Sequence, residues 1–201
     1  GINFMTVLTY KIINEFAQIL AYFYNVKLEV LNADPYFDGI DSELSINVIS
    51  SLKIRPYFFV YNPERKYLKP FEGINNEEEK ILKNEVKEIL SSYNEDNIYC
   101  FASALIYGLP YFVYYFYPNP DELIKIIDDI AHLHFNKIAL NNKDMYVVRK
   151  LQFDQKFSEL VKTYLISKLL KTKLEMQSGR DDILLNDIDK LYKDIWANLS
   201  V

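Results

Sequence analysis

The residues able to do chemistry in this chain are few, and their spacing limits what they can do. At the start stands "GIN", a Gly-x-Asn sequence directly before an amphipathic segment. A helix N-terminus carries unpaired backbone N–H groups and a positive dipole end, so it attracts anions. Gly1 lets a phosphate approach the backbone, and Asn3 offers a donor and an acceptor. The same three residues serve equally as a plain turn and cap. The two histidines, His132 and His134, lie two apart in a helical segment and point to different sides, which argues against one shared metal ion. No cysteine cluster joins them, and the expectation is no metal site, with both histidines solvated or hydrogen-bonded near a helix end. The single Cys100 excludes an internal disulfide, fits a reducing cytosol and reads as a small buried hydrophobe. The acidic runs "NNEEEK" and "GRDDILLNDIDK" read as solvated helix starts.

The elements that must position these groups follow from periodicity. Phe4, Leu8, Ile12, Phe16, Leu20 and Phe23 recur at helical spacing and predict a helix with a broad buried face. "VKLEVLNADP" alternates like a strand and ends in a turn cluster; "LSINVISSLKIRP" reads as a second strand closed by Pro56. A helix entered through a Gly turn and followed by a strand is half of a doubly wound α/β unit. Its first strand is then expected upstream of Gly1, in a longer protein. Residues 57–74, aromatic and Pro-rich, read as a packed connector. From 75 to 201 the chain turns helical. An Asn of "NNEEEK" is a candidate cap before a Glu-rich first turn, Gly108 closes a buried helix, and Pro120 opens another. "KIALNNKDMYVVRK" predicts a hairpin near 138–150, and two amphipathic helices follow.

Bulk composition is that of an ordinary globular chain: 201 residues, half of them hydrophobic, net charge −5. That charge disfavours a surface that coats nucleic acid but leaves room for a local anion pocket. The run "CFASALIYGLPYFVYYFYP" is apolar yet broken by "GLP", too short on either side for a bilayer, and reads as core or subunit interface. No membrane contact and a cytoplasmic location are expected.

Taken together, "GINFMTVLTYKIINEF", "VKLEVLNADPY" and "LSINVISSLKIRP", in that order, resemble the second half of the sensor domain in the CRISPR-associated CARF–HEPN ribonucleases of archaea. "LIYGLPYFVYYFYPNPDEL" is similar to the start of that family's helical region. The likeness covers most of the chain and is strongest over residues 1–56. It implies a partial Rossmann-like CARF sheet unit over 1–56 and a HEPN-like helical region over 75–201, α/β followed by mainly α. It further implies an allosteric cyclic oligoadenylate, cyclic tetra-adenylate foremost, with no cofactor. The ligand would meet Gly1, Ile2, Asn3, Phe4 and Met5, with Thr6, Asn32, Asp34 and Tyr36 adjacent to it or to a dimer seam. A homodimer or higher oligomer, built through both domains, would then cut RNA without a metal.

Such ribonucleases use an Arg followed four to six residues later by a His, the Arg holding phosphate charge and the His moving protons. Arg55, Arg65, Arg149 and Arg180 have no His at that spacing, and neither His132 nor His134 follows an Arg. No catalytic residue is therefore assigned; the expectation is that the pair lies past Val201, the other possibility being an inactive homologue. Two other readings of the resemblance are a sensor that regulates transcription and an enzyme that degrades the cyclic messenger.

Overall fold

A computed structural model describes residues 2–33, 45–56, 61–62, 66–71, 74–91, 93–141, 146–178 and 182–197. The chain divides into two compact units, one of Gly1–Tyr57 with Lys193–Val201 and one of Phe58–Tyr192.

In the first unit a helix, α1 (Ile2–Leu20), precedes strands β1 (Val26–Ala33) and β2 (Ile46–Ile54). The strands pair antiparallel, from Val26 opposite Ile54 to Ala33 opposite Ile46, with a register shift between Val30 and Leu31. No parallel pair occurs among the described strands. The end of α1 is buried at Ala17, Ile19, Ala21 and Tyr22. Its earlier part is not: Met5, Val7, Ile12 and Phe16 are half or more exposed. The buried face predicted for Leu8, Ile12 and Phe16 is thus open in this chain, because a two-stranded sheet offers too little surface to cover it. Ile46, Val48, Ile49 and Leu31 on the strands are open as well.

The second unit is mainly helical. Asn75 caps α2 (Asn76–Leu90) by accepting from the backbone N–H of Glu77 and Glu78. Asn94 caps α3 (Glu95–Tyr107), and Gly108 ends it in the left-handed region (φ 64°), where a side chain would be strained. Pro110 opens the short α4 (Pro110–Tyr115), and Pro120 opens α5 (Pro120–Asn136) behind its Asn119 cap. The run that straddles "GLP" is therefore two helices meeting at a turn. It supplies core residues Phe101, Leu105 and Val113, while Tyr107, Tyr111 and Tyr115 remain exposed. The hairpin forms as β4 (Ile138–Asn141) and β5 (Tyr146–Arg149).

Two strands escaped the sequence pattern: β3 (Leu68–Pro70) pairs antiparallel with β6 (Leu151–Phe153), joining the aromatic connector region to the entrance of α6 (Gln155–Leu174). Three residues are too few to show a period of two. α6 buries Leu160, Ile166 and Leu170 fully. Its C-cap Glu175 takes a left-handed backbone (φ 54°) with no glycine to ease it. The last predicted helix begins as α7 (Leu185–Leu191) and continues as one π-helical turn, Tyr192–Trp196. Among the described residues no helix is long and apolar enough to cross a membrane.

Candidate functional site

The residues singled out at the start of the chain belong to α1 and to the far end of β1. Helix α1 begins at Ile2, so Ile2, Asn3 and Phe4 form its first turn instead of a loop before it. A helix of 19 residues is about 28 Å long, and a strand of eight about 26 Å. The tight connection over 21–25 turns the chain back, held by Ala21 N–H donating to the Ala17 carbonyl and Tyr24 N–H to that of Leu20. The first turn of α1 and the last residues of β1 are the segments that carry the predicted ligand residues. Met5 and Thr6 are exposed there, and so is Asn32. The register adds Asn47, directly opposite Asn32 and also exposed. Two cross-strand asparagines make four amide donors or acceptors at one edge. Sequence reading missed Asn47 because only strand pairing sets it against Asn32. Gly1, Asp34 and Tyr36 lie outside the described residues.

Of the two histidines expected to be solvated or hydrogen-bonded near a helix end, His132 is exposed and His134 is not. His134 is buried at the end of α5, its ring stacked on Phe153 at 4.2 Å, and Phe153 stacks in turn on Phe157 at 4.3 Å. Among the described residues no group of three or more His, Cys, Asp or Glu is placed to hold a metal ion. Cys100 is a free, half-buried thiol on α3.

The second unit holds a polar cluster that the sequence did not announce. Tyr67 donates to Glu95 Oε1 at 2.5 Å and is hydrogen-bonded to Tyr61. Lys156 Nζ donates to Glu95 Oε2 at 3.2 Å and sits over the faces of Tyr67 (4.7 Å) and Tyr61 (5.5 Å). Burial, reinforced by the neighbouring carboxylates, pushes both phenols far above their usual range, so they remain neutral donors. The Lys156 side chain is only 4% exposed, and the Glu95 carboxylate and the faces of Tyr67 and Tyr61 lie against its charge. Tyr67, Glu95 and Lys156 form one wall of a cavity of about 600 Å³.

No family model matches the chain. By sequence, however, it is similar to a CRISPR system endoribonuclease, as the resemblance led us to expect. This relative is the CRISPR system endoribonuclease Csx1 of Methanocaldococcus jannaschii, 28% identical over 202 residues. That alignment takes in 98% of this chain and 42% of Csx1, so the chain spans less than half the length of its relative.

Proposed function

We propose that the chain is part of a CRISPR-associated endoribonuclease in which a CARF sensor binds cyclic oligoadenylate and switches on a metal-independent HEPN nuclease. One observation carries the reading: similarity to an endoribonuclease of CRISPR systems runs along 98% of the chain, through both compact units. In this reading residues 1–56 are the second half of the sensor, 57–74 the connector and 75–201 the HEPN-like region. The amides of the first α1 turn, Ile2 to Met5 with Gly1 before them, would receive ligand phosphates. Asn3, Thr6, Asn32 and Asn47 would meet ribose or base, with Asp34 and Tyr36 beside them. No protein cofactor enters the scheme.

The open apolar face of α1 and both strands supports assembly. The exposure of Met5, Val7, Ile12, Phe16, Ile46 and Val48 leaves apolar surface that water opposes and that further polypeptide, whether more of a sheet or a second copy, would cover. Homodimerisation through the sensor and the helical region accords with this. The nuclease would need an Arg–His pair that these 201 residues do not contain at the required spacing, so cleavage would depend on residues beyond them.

The test is RNA cleavage by the intact protein with and without cyclic tetra-adenylate, repeated with Asn3→Ala and Asn47→Ala. Cleavage that requires the activator, at raised activator concentration in both variants, is the expected result. Cutting that ignores the activator and both substitutions refutes the sensor assignment. Loss of the cyclic compound without RNA cleavage replaces it with a messenger-degrading enzyme.

A further inference from the structure

Helix α2 is held unlike the other long helices of its unit. Its apolar face, Leu82, Val86 and Leu90 at four-residue intervals, has no fully buried member. The helix is tied down instead by ion pairs at its edges: Glu78 to Lys150 at 2.8 Å, Glu79 to Lys66 at 3.3 Å and Glu85 to Lys137 at 3.3 Å. All six side chains are about a third or more exposed, so each pair holds weakly and is screened by salt. Beneath the face lies the 600 Å³ cavity, floored by the buried Leu68 and Leu151 of the β3–β6 pair. Its volume falls within the range of small-molecule sites, about 300–1,000 Å³.

The charges around it are unequal. Four lysines (66, 83, 87 and 156) face three carboxylates (Glu79, Glu95 and Asp96). Glu79 is shared by Lys66 and Lys83, at 3.3 and 3.1 Å, and Glu95 is engaged by Lys156 and Tyr67. Lys87, exposed on α2 one turn from Lys83, has no carboxylate within ion-pair distance among the described residues. Asp96, at the start of α3, is likewise outside these ion pairs, so the spare cation lies on the α2 side of the apolar slot and the spare carboxylate on the α3 side, and the α2 side suits an anionic head.

We propose that the cavity under α2 binds a small amphipathic anion, its apolar body between α2 and the β3–β6 pair and its single negative head at Lys83 and Lys87, with α2 as the cover that admits it. The site is separate from the α1 end, and this inference stands whether or not the ribonuclease reading does.

Decanoate and decyltrimethylammonium, both below their micellar concentrations, are the probes for calorimetric titration. They share an apolar chain and differ in the sign of the head. Decanoate binds one to one and at least about fivefold more tightly than the cation, the selectivity of one partly exposed ion pair. Lys87→Glu, a surface change, abolishes or reverses that preference, and Val86→Trp, which fills the slot, removes decanoate binding. Decanoate also slows amide hydrogen exchange along α2, a readout that works even if Val86→Trp fails to fold. Equal affinity for the two heads, decanoate binding unchanged in Lys87→Glu, or protection confined to α1 and its strands overturns the proposal.

Discussion

Removing Glu95 will cost more than removing Lys156, although they are partners in one ion pair. Lys156 is buried, while the Glu95 side chain is 30% exposed. In Glu95→Ala the ammonium keeps its burial and loses the Glu95 carboxylate, and the buried Tyr67 hydroxyl loses the acceptor 2.5 Å away. Removing one partner of a buried charge costs up to about 3–5 kcal/mol. Water reaching the vacated Glu95 position lowers that figure, and the lost Tyr67 acceptor returns about 1 kcal/mol, for a total near 3 kcal/mol. In Lys156→Met the unbranched side chain refills the space of the lysine stem and rests its sulfur on the same two rings. Glu95 keeps Tyr67 as a donor and part of its hydration. The cost there is within about 1 kcal/mol. Urea unfolding followed by tyrosine fluorescence and far-ultraviolet dichroism measures both variants, with an unchanged dependence on denaturant confirming a like-for-like comparison. Equal losses, or a larger loss from Lys156→Met, would show that the pair itself, and not the burial of the cation, dominates. The account of the cluster would then be wrong.

Three further outcomes follow from the fold. Burial raises the Asp154 carboxyl, but Lys69 at 2.6 Å and the backbone N–H groups of Gln155 and Lys66 outweigh it and hold the group below its usual value. A depressed folded value gives stability that is present above about pH 4 and lost as pH falls through the lower, folded value; acid titration of Asp154→Asn should lack that component. Glu175→Gly relieves the left-handed C-cap of α6 and should stabilise by about 0.5 kcal/mol in thermal melts, the relief of roughly 1 kcal/mol exceeding the added chain entropy; no gain would mean Glu175 has an offsetting contact. Phe101→Ala empties a fully buried site between α3 and Tyr117 and should cost about 3–5 kcal/mol in urea, a loss below 1 kcal/mol contradicting the core assignment.

What the sequence determined by itself is local. Asn75, Asn94 and Asn119 cap helices because an asparagine side chain reaches a backbone N–H two residues on, and Gly108 ends a helix because it has no side chain to strain. Strands β1 and β2 and the 138–149 hairpin were legible from alternation, and the order of segments was enough to anticipate kinship with CRISPR-associated ribonucleases. Tertiary structure decided what depends on distant partners. The three-residue strands β3 and β6 exist only as a pair, so neither carries a pattern of its own. Asn47 meets Asn32 through register, and Tyr67, Glu95 and Lys156 converge from segments 28 and 61 residues apart. The burial of His134 against Phe153 likewise rests on a strand that no local signal marks. Periodicity showed that α1 has an apolar face; whether this chain covers that face depended on the area its two strands provide, and they leave most of it open.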